Sequence, residues 1–214
     1  MRERFIKALE EHQNFFDLRL GGEQIRRLAD YYELVEAHNE LLHLVAPAPA
    51  EEFAVRHILE SLTLLKFLPE QPQPQPQPRH QAKLADVGTG AGLPSLPCLL
   101  AREDLGVFLI ESKIKKARFL EEALSKFNLA GRARILNRQF EEIEKPADAD
   151  FVTCRALDKF IQKLPKLLKW SKGSRMLLFG GNSLRDELKK HNVKFGERLM
   201  PLSEQRFLFY TDKI

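Results

Sequence analysis

Apolar residues recur at helical intervals over residues 1 to 68: Phe5, Leu9 and Phe16, then Ile25, Leu28, Tyr32 and Val35, then Ile58, Leu62 and Leu65. Three helices are expected there, and nothing in the stretch alternates like a strand. From Lys83 onward the pattern changes, and short apolar runs alternate with amphipathic ones. Strands are expected over 83–87, 106–111, 133–136, 150–154, 174–179, 193–199 and 206–211, with helices over 94–102, 113–127, 158–169 and 183–191. That alternation is the mark of an α/β fold built on a doubly wound parallel sheet. Between the last two strands Pro201 and Ser203 leave room only for a turn, so these two should form an antiparallel hairpin at the sheet edge.

Gln and Pro alternate over residues 71 to 78, a composition that favours extended polyproline II. The chain therefore divides into an N-terminal helical lobe (1–68), a surface spacer (69–82) and a sheet domain (83–214). The lobe carries no ligand turn and reads as a cap or partner-facing element. In its third helix Arg56 and Glu60 stand at ion-pair spacing beside His57, which a helix face would leave partly buried.

Composition narrows the class only a little. No apolar run approaches the roughly 20 residues of a membrane span, and the charged start Met1-Arg2-Glu3-Arg4-Phe5 does not resemble a signal peptide, so a cytoplasmic location is expected. Cys98 and Cys154, without metal-ligand spacing, point to reduced thiols rather than a disulfide or a structural metal. A net charge of +4 and a pI near 9.0 are compatible with a polyanionic partner without requiring one.

The chemistry concentrates at the ends of the strands, where open α/β sheets bind ligands. After the first strand comes Asp86-Val87-Gly88-Thr89-Gly90-Ala91-Gly92-Leu93-Pro94, a glycine turn that lets a ligand approach main-chain N–H groups ahead of a helix. Position 93 is Leu, so the dinucleotide pattern G-x-G-x-x-G is not met and a cofactor without a pyrophosphate is the better expectation. Glu111 follows Gly92 by 19 residues, close to the spacing at which an acid accepts bonds from ribose hydroxyls. Further along come Phe140, which could face an adenine or simply fill the core, Glu141, and Arg155 after Cys154. The basic turn Lys113, Lys115, Lys116 and Arg118 stands at the rim, with Glu121 and Glu122 in reach as salt-bridge partners.

A glycine turn followed by such an acid, on a seven-stranded sheet ending in a hairpin, resembles the S-adenosylmethionine-dependent (Rossmann-like) methyltransferases. Four strings sharpen the likeness: the turn itself, Ser112 through Lys116 with Arg118-Phe119-Leu120, Cys154-Arg155-Ala156, and Val55-Arg56-His57-Ile58-Leu59-Glu60-Ser61. Together, from about Val35 to the C-terminus, they resemble the RsmG (GidB) family of bacterial 16S ribosomal RNA methyltransferases, which methylate a guanine at N7. The resemblance implies that Gly88 and Leu93 contact the methionine end or adenosine of S-adenosylmethionine, that Phe140 and Glu141 frame its adenine, and that Arg155 lines the site. Asp86, Gly90 and Gly92 of the same turn complete the candidate cofactor residues. It implies an RNA partner, either 16S RNA or the small subunit, for a monomeric protein. Arg56, Lys113, Lys116, Arg118 and Arg138 are then the candidate RNA contacts. The chain departs from the family pattern at His43-Leu44-Val45, at Arg138-Gln139 and at Gly180-Gly181, and its Gln-Pro spacer looks like an insertion.

Guanine N7 already carries a lone pair at neutral pH, so the expected chemistry needs alignment rather than a general base, and Arg155 would position the substrate or hold the cofactor. Cys154 is not expected to act as a nucleophile. A small-molecule methyltransferase, or an RNA-binding protein that keeps the fold without activity, are the alternatives.

Overall fold

A computed structural model describes residues 1–69, 82–155, 157 and 159–214. Seven strands form one sheet: β1 (Ala82–Val87), β2 (Leu105–Ile110), β3 (Ala133–Leu136), β4 (Phe151–Arg155), β5 (Arg175–Gly180), β6 (Gly196–Leu199) and β7 (Phe207–Lys213). Their spatial order is β3-β2-β1-β4-β5-β7-β6. The first five run parallel, and β7 inserts antiparallel between β5 and β6. The expected terminal hairpin is present, with β6 at the edge and begun three residues later than the apolar pattern indicated.

Strand residues alternate between two cores because successive side chains point to opposite faces. Leu84, Phe151, Leu177 and Leu208 join one cluster, Ala85, Val152, Leu178 and Phe209 the other. The second is closed by Leu164 and Leu167 of α7 (Phe160–Trp170) and Leu184 and Leu188 of α8 (Asn182–Lys190). The first is closed by α5 (Ser95–Ala101), α6 (Ile114–Lys126) and the N-terminal helices. These are α1 (Arg2–His12), α2 (Gly22–Leu42) and a rod built of α3 (Ala50–Glu52), a π-helical stretch Phe53–Leu59, α4 (Glu60–Leu62) and a 3-10 turn Thr63–Phe67. Phe5 stacks on Tyr32 at 4.6 Å between centroids, and Phe53 tilts against both. The apolar residues of 1–68 thus bury themselves in the same core as the sheet. The expected Gln-Pro spacer lies outside the described residues.

Strand order reverses between β1 and β4, which makes the carboxyl ends of these two strands the expected ligand edge.

Candidate active site

Strand register brings the scattered candidates into one row. Val87 is level with Ile110 and with Cys154, and Ile110 with Leu136, so the residues that follow, Gly88, Glu111, Arg155 and Asn137, lie side by side along the edge. Gly88, Gly90 and Gly92 have φ of +71°, +58° and +91°, the left-handed region that glycine enters without penalty. The three differ in what surrounds them. A Cβ on Gly92 would lie 2.3 Å from Leu96 Cδ1 and one on Gly88 2.5 Å from Leu157 Cδ1, so both are packed from within. At Gly90 a Cβ would meet only the Gly88 carbonyl at 3.9 Å, which leaves that side of the turn open.

Glu111 fastens the turn. Its Oε2 accepts the Gly90 N–H at 3.0 Å and its Oε1 the Lys113 N–H at 2.8 Å, while its own carbonyl accepts from Asn137 Nδ2 at 2.8 Å. Each carboxylate oxygen still has acceptor capacity for a further donor such as a ribose hydroxyl. From the other side, Tyr31 of α2 reaches in and its hydroxyl donates to the Ala91 carbonyl at 2.8 Å. Burial holds that phenol far above its usual range. Beneath the turn, Asp86 is fully buried and accepts from Thr89 Oγ1 at 2.8 Å. Burial pushes its carboxyl up to about 7, against the pull of the Ser95 and Thr89 hydroxyls. Asp86 Oδ1 and Ser95 Oγ have no hydrogen-bond partner of good geometry among the described residues.

Phe140 sits in the second core, its ring edge-on to Trp170 at 5.8 Å and under the Lys163 ammonium at 5.7 Å. The core filling that the sequence left open is therefore where the ring goes. Glu141 next to it pairs with Lys163 at 3.2 Å.

Arg155 is tied to the helical rod. It donates to Ser61 Oγ at 3.2 Å, to the Arg56 carbonyl at 2.5 Å and to Glu60 Oε2 at 3.2 Å, and lies 5.4 Å from the Phe179 ring. Glu60 is 1% exposed, and its other oxygen accepts from Arg206 Nε at 2.7 Å. The expected Arg56–Glu60 pair does not form. Arg56 instead bonds Glu52 at the surface, one turn back, because Glu60 is buried and both its oxygens are taken by Arg155 and Arg206. His57, packed on Phe53 at 4.9 Å, is held neutral: burial, then Arg155, Arg56 and Arg206, lower it to about 3, and its Nδ1 has no partner among the described residues. Cys98 and Cys154 are both fully buried, and burial raises both thiols, which keeps them protonated.

A family model described as rRNA small subunit methyltransferase G matches residues 24–203. The chain belongs to this family. A relative of that name from Leuconostoc mesenteroides is 29% identical over 226 residues, covering 99% of this chain and 90% of its own. One from Sorangium cellulosum is 33% identical, covering 84% and 73%. One from Xanthomonas euvesicatoria is 37% identical over 131 residues, so that 61% of this chain spans little more than half, 56%, of that protein. Two solved structures share the fold at 13% identity. The apo S-adenosylmethionine-dependent methyltransferase SibL matches with a TM-score of 0.55 over 98% of this chain and 74% of that one. A human methyltransferase 10 domain containing protein matches at 0.57 over 86% and 96%.

The basic candidates divide in two. Lys113, Arg118 and Arg138 are exposed, the last donating to the neighbouring Asn137 carbonyl at 3.2 Å. Lys116 is drawn in: its ammonium donates to the His43 carbonyl at 2.9 Å, capping the end of α2, and partial burial lowers its pKa. The expected pairing of this turn with Glu121 and Glu122 is not made among the described residues; Glu122 pairs with His38 at 3.1 Å. Tyr31, Glu60 and Arg206 were not singled out from the sequence as site residues, since their partners lie 60, 95 and 146 positions away.

Proposed function

We propose that this protein transfers the methyl group of S-adenosylmethionine to N7 of a guanine in 16S ribosomal RNA. The observation that carries the reading is the junction of the open Gly90 main chain with Glu111, one strand from Arg155 at the reversal point of the sheet. The cofactor fits this edge. Gly90 offers backbone that no side chain covers, Glu111 retains acceptor capacity for a ribose, and Gly88, Gly92 and Leu93 shape the turn beside it. Asp86 supports the turn from below. Phe140 and Glu141 would border the adenine through their main chain, since the Phe140 ring is occupied in the core.

When bound, the cofactor supplies an electrophilic methyl on a sulfonium. The chain's own residues then have to orient the guanine and exclude water, because N7 brings its own electron pair. Nothing at this edge is required to take a proton, in keeping with a neutral His57 and protonated thiols. Arg155 still has its Nε–H and one Nη1–H without a partner among the described residues, donors suited to the O6 edge of guanine or to the cofactor carboxylate. Buried Cys154 is unsuited to attack on a ring carbon. A flipped or single-stranded guanine is required for access, and Arg56, Lys113, Lys116, Arg118 and Arg138 are the proposed contacts to the flanking RNA. The protein would act as a cytoplasmic monomer.

The test is to delete the gene and map N7-methylguanine in 16S RNA by borohydride and aniline cleavage. Loss of one cleavage, restored by the purified protein with S-adenosylmethionine, is expected. An unchanged pattern, or methyl transfer confined to small molecules, would overturn the proposal.

A further inference from the structure

The end of the sheet opposite the candidate site carries an unusual share of the chain's positive charge. α7 and α8 both end there, beside the start of β5 and the end of β7. A cavity of about 570 Å³ between them is lined by Lys169, Lys172, His191, Val193, Lys194 and Lys213, among others. Around it Lys166, Arg175, Lys189 and Lys190 complete a set of eight exposed cations. Arg175 is level with Lys213 across the β5–β7 ladder. Only Lys190 has an ion-pair partner among the described residues, Glu187.

Taking these eight cations and the three carboxylates of the same elements, Asp186, Glu187 and Asp212, out of the chain's 34 Lys/Arg and 30 Asp/Glu leaves 26 against 27. The net charge of +4 is therefore concentrated on this one face. Helix dipoles account for part of it, since lysines in the last turns of α7 and α8 are favoured there. They do not account for Lys172, Arg175, Lys194 and Lys213, which sit on loops and strand ends and form no ion pair among the described residues, Asp148 and Asp150 at the same end lying beside Lys145.

We propose that this face is a second RNA-contact surface, which grips phosphodiester backbone flanking the methylated nucleotide. This rests on the RNA reading above. The six residues of β5 set the face about 20 Å from the glycine turn. A small-molecule substrate would not reach across that distance, whereas a folded RNA would touch both edges at once. The density of unpaired cations, without a matching excess of acceptors, fits a polyanion held by charge rather than by sequence.

The test is the triple variant Lys172→Glu, Lys194→Glu, Lys213→Glu beside a milder Lys→Gln triple at the same positions. Both are compared with the wild type in binding to deproteinised 16S RNA over a range of salt, in methyl transfer to it, and in affinity for S-adenosylmethionine. The expected result is at least a tenfold loss of RNA affinity, with the slope of log affinity against log salt reduced by about 2 to 3. The Gln triple should fall between the wild type and the Glu triple, KM for RNA should rise with kcat little changed, and melting and cofactor affinity should be unaltered. RNA affinity and slope equal to wild type in the Glu triple, while the wild type methylates RNA normally, would overturn this inference alone. So would loss of binding to phosphatidylglycerol vesicles with RNA binding intact. A wild type that transfers no methyl either to deproteinised 16S RNA or to the small subunit would instead overturn the functional reading on which the inference stands.

Discussion

Glu60→Gln probes the connection between the helical rod and the sheet edge. The change keeps volume and removes the one carboxylate shared by Arg155 and Arg206. Removing one partner of a buried pair costs about 3–5 kcal/mol, because the remaining charge is left without compensation. The Arg155 side chain is 14% exposed and takes most of that cost, whereas Arg206, at 36%, is screened by solvent. An amide oxygen can still accept from one guanidinium, but its NH₂ must then face the other. A net loss of about 2–4 kcal/mol follows, or about 5–15 °C in Tm for a chain of this length. Calorimetric melting should show this loss with little rescue by salt, since a buried pair is poorly screened. A double-mutant cycle with Arg155→Met assigns it. A coupling of about 1–3 kcal/mol is expected between the two positions, and the Glu60 variant should also bind S-adenosylmethionine more weakly, since Arg155 loses one of its three anchors. A Tm within about 2 °C of wild type, or strictly additive single variants, would refute the reasoning.

Four further outcomes are expected. Gly90→Val should abolish S-adenosylmethionine binding in calorimetry while melting falls by only about 1–2 kcal/mol of backbone strain, because its Cβ meets no side chain; Gly92→Ala, driven into Leu96, should lose stability first. Binding retained by the Gly90 variant would mean that the turn is not the cofactor seat. Asp86 keeps its proton to about 7 when folded and loses it near 4 when unfolded, so the folded state binds more protons in between and stability falls as pH rises across that window. Asp86→Asn should therefore gain up to about 4 kcal/mol relative to wild type at pH 8 and little below pH 4, with equal effects at both pH values counting against the assignment. Tyr31→Phe should cost about 1–2 kcal/mol and weaken cofactor affinity through the freed Ala91 carbonyl, and unchanged affinity would separate that bond from the site. Cys154→Ala should retain methyl transfer within severalfold, while a loss of about a hundredfold or more would restore a thiol mechanism.

What the sequence disclosed and what it hid divide along the range of the interactions involved. Strand limits and the glycine turn follow from local signals, alternation and punctuation by Gly and Pro, and β1 to β5 fall within a residue of the positions those signals set. The row formed by Gly88, Glu111 and Arg155 was legible for the same reason: each directly follows a strand, and a parallel sheet aligns strand ends. Phe140 could not be placed, since an aromatic before an acid looks alike whether it lies in the core or against a base. The partners of Glu60 were hidden twice over. They lie far off in sequence, and helical spacing pointed to Arg56, which pairs at the surface with Glu52 while the buried Glu60 is held by Arg155 and Arg206.

That hidden contact changes the part played by the N-terminal helices. All three Arg155 hydrogen bonds end on residues 56, 60 and 61, and Tyr31 holds the opposite side of the cradle at Ala91. The sheet therefore sets where Gly88, Glu111 and Arg155 stand, while the helical segment fixes how the Arg155 guanidinium is turned and how the glycine turn is closed. A displacement of the rod would move Arg155 with it, because among the described residues no other carboxylate pairs with the two arginines and Glu60 is buried. The segment that carries no glycine turn and no strand end thus forms a wall of the candidate site rather than a cover over it.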